Sequence, residues 1–138
     1  DMPRNLGVLT DGRGTLYGMA NDLARSLAAF FVDLGAAAGR VTLVTLTEFG
    51  RRVTENGSGG ADHGWGSCMF VAGAGVRGGR YVGRWPGLGT TTLVDGDLAV
   101  TTEYRDVLAE VLARRLGVTI GDVFPGYSPQ PVGVMSDV

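Results

Sequence analysis

Residues 15–47 read TLYGMANDLARSLAAFFVDLGAAAGRVTLVTLT, and this stretch decides the fold. Leu16, Ala20, Leu23, Leu27, Phe30 and Leu34 recur at three- and four-residue spacing, which lines one side of a helix. Arg25, Ser26 and Asp33 fall off that stripe. Gly35 and Gly39, with an alanine run between them, mark where the helix stops. Residues 41–47, VTLVTLT, are β-branched, apolar or Thr without clean alternation. That suits a strand covered on both faces, as in a parallel sheet. Helix then strand is half of a βαβ unit. No strand precedes the helix, so the expectation is an α/β fold in which residues 1–138 form a single partial domain, the carboxy-terminal part of a longer one.

Ahead of the helix, residues 1–14 are polar and Gly-rich and read as loop. Beyond the strand, residues 50–66 (GRRVTENGSGGADHGWG) read as a Gly-rich loop, and residues 67–72 (SCMFVA) as a second, buried strand. Residues 73–90 carry seven Gly and suggest a short hairpin plus loop. Asp95-Gly96-Asp97 is a hairpin-turn signal between short apolar pieces. A second helix is expected over residues 102–116, with Thr101 or Thr102 as N-cap and Tyr104, Val107, Leu108, Val111, Leu112 and Leu116 as its apolar face. Glu103 and Asp106 suit its positive end, Arg114 and Arg115 its negative end, and Gly117 its C′ position. From Phe124 onward the chain reads as a Pro/Gly tail.

A length of 138 residues fits one domain, and 44% apolar with 19% charged residues is a globular composition. Net charge is −2 with no basic run, which argues against nucleic acid and against anionic membrane surfaces. No stretch reaches the apolar length of a membrane span. All twelve basic residues are Arg, so a Schiff-base or Walker-type lysine is excluded. The single cysteine, Cys68, allows no internal disulfide, and its apolar strand context predicts a buried, inert thiol. Gly73-Ala74-Gly75-Val76-Arg77-Gly78 matches GxGxxG, but the following RYVGRWP cannot open the helix that a pyrophosphate site needs.

Asp62 and His63 are the leading chemical candidates. His63 is the one histidine of the chain. A neighbouring carboxylate and imidazole can both reach a divalent ion if the backbone turns sharply. The competing reading is a loop histidine, exposed or bonded to Asp62. Glu48 follows the carboxyl end of the expected strand, where open α/β sheets place ligands; it could equally be a solvated charge or a partner of Arg51 or Arg52. Those two arginines could hold phosphate or sulfate, or serve in surface ion pairs.

Val44-Thr45-Leu46-Thr47-Glu48-Phe49-Gly50-Arg51-Arg52, Asn56-Gly57, Asp62-His63-Gly64, Gly73-Ala74-Gly75-Val76-Arg77-Gly78-Gly79 and Gly83 together resemble the bacterial family called domain of unknown function 1501. That family is similar to the alkaline phosphatase and sulfatase superfamily. The resemblance implies the carboxy-terminal portion of a three-layer α/β/α alkaline-phosphatase-like domain, an extracytoplasmic location through a twin-arginine signal, and hydrolysis of small phosphate or sulfate esters in intact relatives. It implies a divalent metal (zinc, manganese or calcium), with Asp1, Glu48, Asp62 and His63 as candidate ligands and Arg51 as candidate substrate contact. The nucleophile and the first metal-binding Asp would belong to the amino-terminal portion, a candidate partner of this chain. Two departures stand out. Pro3 occupies the place of a family His in an Asp-x-His step beginning at Asp1, and Asp62-His63 falls later in the loop than the superfamily's strand-end Asp-His. The alternative expectation is a non-catalytic structural or binding remnant that has lost its metal ligands.

Overall fold

The structure, a computed structural model, describes residues 15–57 and 60–136, with side chains from residue 17 onward. Asp1 and the loop expected over residues 1–14 lie outside the described residues. The elements are helix α1 (Thr15–Leu34), a 3-10 turn (Gly35–Arg40), strands β1 (Thr42–Val44), β2 (Gly50–Glu55), β3 (Ala61–Gly64) and β4 (Val71–Gly73), and helices α2 (Tyr104–Leu116) and α3 (Ile120–Val123). The fold is mixed α/β, built from two antiparallel two-stranded sheets, β1–β4 and β2–β3.

α1 runs as its periodicity predicts and stops at Gly35, whose φ of 48° is left-handed. Its apolar stripe is only partly covered: Leu27 and Leu34 are half-buried while Leu23 and Phe30 are exposed, and Phe31, beside the stripe, is half-buried with Leu27 and Leu34. Phe31 is the side chain that reaches β4, since a Cβ built on Gly73 would lie 3.2 Å from its ring.

β1 departs from expectation in length and partner. It pairs antiparallel with β4, Leu43 opposite Ala72, and is half-buried rather than covered on both faces. Thr45 ends it: its N–H reaches the Phe70 carbonyl, but its hydroxyl, not its carbonyl, receives the Phe70 N–H. The second expected strand shrinks to Val71–Gly73. Residues 67–70 fall outside it, and Cys68 is therefore a free, exposed thiol rather than a buried one.

The segment read as a loop over residues 50–66 is the hairpin β2–β3. The missed signal is local. Val53-Thr54 is β-branched, and Asn56-Gly57 starts the turn. The Asn56 N–H donates to the Gly60 carbonyl, and its side-chain oxygen accepts the Gly60 N–H, both at 2.9 Å. Two glycines let the strands close. A Cβ on Gly50 would lie 1.8 Å from the Gly66 carbonyl oxygen, and one on its cross-strand partner Gly64 would lie 2.6 Å from the Arg51 carbonyl carbon.

Asp95 and Gly96 both have positive φ (53° and 85°) between bridged Val94 and Asp97, the type I′ turn that Asp-Gly predicts. α2 begins after Glu103 rather than after Thr101 or Thr102, with no side-chain cap, and ends at left-handed Gly117, whose N–H returns to Ala113. The GxGxxG run forms turns with Gly73 and Gly75 at positive φ, as is Gly79 just after it, and opens no helix. The core lies between α2 and the tail. Val107, Val111, Val134 and Met135 are buried, with Val44, Met69, Val71, Val76 and Val132 packed around them. Burial of such side chains stabilises by about 1.5–3 kcal/mol each. No helix among the described residues is long and apolar enough to cross a membrane.

Candidate functional site

Two of the candidate residues, Arg51 and His63, are brought together by the β2–β3 register. They face each other directly across the hairpin, so their side chains share a face. Phe49, two residues before Arg51, joins them. Its ring stacks on the His63 imidazole with centroids 3.7 Å apart and 31° between planes. The Arg51 guanidinium carbon lies 5.4 Å from the same ring centroid. The result is an imidazole–phenyl–guanidinium cluster held by strand pairing. Nη1 of Arg51 is buried without a hydrogen-bond partner. A buried guanidinium donor with no acceptor is a costly arrangement, and an anion is the group that would complete it.

Arg52 has a different job. Its Nη2 donates to the Asp95 carbonyl at 2.7 Å, and its Nε forms an ion pair with Asp97 Oδ1 at 3.1 Å, close in distance but without hydrogen-bond alignment. Arg52 thereby ties the Asp95-Gly96 turn to β2. Asp62 accepts from the Asn56 side-chain amide at 2.7 Å. An open depression of about 330 Å³ is lined by Arg52, Ala61, Asp62 and His63.

The sharp backbone turn that would let Asp62 and His63 hold one ion together does not occur. They are consecutive residues of the extended strand β3 at the rim of one depression, with Asp62 engaged by Asn56 and His63 by Phe49. Glu48 is exposed in a bend four residues beyond the end of β1. Among the described residues no group of three or more His, Cys, Asp or Glu side chains comes together. A zinc, manganese or calcium site needs about four or more converging donors, so the described residues do not by themselves fit such an ion.

Phe49 was not among the residues that the sequence singled out. Its signal was available once β2 is recognised: an aromatic at the period-2 position before Arg51 falls on the Arg51 side of the strand.

With this geometry in place, the comparison with protein families is decisive for kinship. The model of the family described as protein of unknown function DUF1501 matches residues 11–136. The chain belongs to that family. Comparison with curated proteins and with solved structures gives no match. The match spans α1 to the tail, so the hairpin cluster of this DUF1501 protein lies wholly within the family region.

Proposed function

We propose that the β2–β3 hairpin of this DUF1501 protein is an anion-recognition element of a hydrolase-like domain that acts on phosphate or sulfate esters. The observation that carries the reading is the orphaned Nη1 of Arg51 in a cluster with Phe49 and His63. A guanidinium offers a planar fork of donors that matches the oxygens of phosphate and sulfate. His63 adds a ring that can donate or accept a proton beside them. In this reading the ester oxygens meet Arg51, His63 supplies a neutral or charged hydrogen-bonding group, and Phe49 keeps both rings in place. A divalent ion would take its donors largely from outside the described residues, Asp1 among them, with Glu48 and His63 as what this region offers.

A second reading is a binding or structural domain without turnover. It is favoured by Arg52 and Asp62 being already engaged within the hairpin and its adjoining turn. The test is selectivity among anions. Titration with phosphate, sulfate, acetate and chloride should show retention of the two tetrahedral oxyanions over the others. Equal retention of acetate or chloride would contradict the ester reading. Oxyanion binding without release of phenol from aryl phosphate and aryl sulfate, metals supplied, would leave the second reading standing.

A further inference from the structure

The tail is fastened to α2 by carboxylates. Oδ1 of Asp106 accepts the Tyr127 hydroxyl at 2.6 Å and the Gln130 N–H at 2.8 Å. Oε2 of Glu110, one turn on, accepts the N–H groups of Val132 (2.9 Å) and Gly133 (2.7 Å), and Oε1 accepts that of Met135 (2.7 Å). Four backbone N–H groups that a sheet would pair with carbonyls are thus held by two side chains at i and i+4 of one helix. On its other side the tail meets the turn after β4: Arg77 N–H donates to Val134, Ser136 N–H donates to Gly75, and the Arg80 guanidinium donates to the Gly133 carbonyl. Pro129 and Pro131 lack N–H groups, so this stretch could not be a central strand instead.

We propose that residues 127–133 are a strap that opens when the carboxylates holding it, Asp106 and Glu110, are neutralised, while Val134 and Met135 stay packed against Val107 and Val111. A charged carboxylate accepts several N–H groups strongly. A protonated one brings an O–H donor among them and loses that hold. Carbonyl-to-N–H ladders such as β1–β4 have no such dependence. The charged groups around Asp106 are Glu103 and Arg105 at the start of α2 and the Tyr127 phenol from the tail; Arg114 lines the same depression as Glu110, and the Arg80 guanidinium meets the Gly133 carbonyl of the segment that Glu110 holds. Opening uncovers the α2 side that lines a depression of about 270 Å³ against the Pro129-Gln130-Pro131 segment, with Ala109, Ala113 and Ile120 as its apolar floor. Asp106 is held below the ordinary carboxylate range, first by the Tyr127 hydroxyl and then by the Gln130 N–H. Its contribution is therefore full above that range and lost as pH falls through the depressed value.

Amide hydrogen exchange of the full chain tests this. Glu110→Gln at neutral pH should speed exchange at Val132 and Gly133 at least about tenfold, with the α2 amides of Leu108 to Leu112 still protected. Acid titration of the unmodified chain should release the Gln130 amide, held by Asp106, before those of α2; it gives the answer even where the variant does not fold. Loss of tail and α2 protection together, or unchanged tail protection in Glu110→Gln, would overturn the strap.

Discussion

The imidazole of His63 and the ring of Phe49 stack across the mouth of the β2–β3 hairpin, 3.7 Å between centroids. Such aromatic contacts stabilise by about 0.5–1.5 kcal/mol beyond area burial. Phe49→Ala should therefore cost about 1 kcal/mol and remove the ring-current shift on the His63 ring protons, which proton NMR reads directly. Unchanged His63 proton shifts in the variant would show that the two rings are not stacked in solution.

Gly50→Ala should be among the most damaging single changes in the hairpin. Its Cβ would lie 1.8 Å from the Gly66 carbonyl oxygen, backbone against backbone. A loss of more than about 3 kcal/mol is expected, against about 0.5 kcal/mol for Gly57→Ala, where a Cβ meets open space. Chemical denaturation of both variants measures the difference.

Arg52→Ala should act on structure and not on ligand. Its ion pair with Asp97 is half-exposed on the Arg52 side, which limits its worth to about 1 kcal/mol or less. Loosening should be confined to the turn at Asp95 and Gly96, visible as faster amide exchange from residue 94 to residue 97.

At the alkaline end, the Tyr127 phenol is pushed up to about 12, chiefly by its hydrogen bond to Asp106. Raised above the unfolded value of 10.0, it contributes stability that is complete below pH 10 and fades as pH climbs toward about 12. Denaturation midpoints across that window should fall for the native chain and fall less for Tyr127→Phe.

α1 and α2 were legible in the sequence because their signals are local: the α1 stripe, the Gly35 stop, and the Gly117 cap; the single turn of α3 was not. The Asp95-Gly96 turn was legible for the same reason. The sheets were not. Residues 41–47 carry strand propensity, but propensity does not choose a partner, and here Thr45 ends the pairing by lending its hydroxyl to Phe70. The β2–β3 hairpin was hidden under its glycines, which read as loop until Gly50 and Gly64 are seen to be where the two backbones approach. Of the candidate site, the residue types Arg51 and His63 were visible, but their juxtaposition depends on a register that includes a shift between Arg51 and Glu55. The separate partners of Asp62 and His63, Asn56 and Phe49, likewise follow from β3 being an extended strand, which the Asp-His dipeptide alone does not reveal.

The most direct test of the anion-recognition claim is titration of inorganic phosphate into the native chain, Arg51→Ala and Arg52→Ala, each checked for an intact hairpin by NMR. The account predicts saturable binding to the native chain, weakened about tenfold or more by Arg51→Ala, in keeping with loss of a charge-assisted contact, and left within about twofold by Arg52→Ala. Binding that survives Arg51→Ala undiminished, or no saturable binding to the native chain, would contradict it.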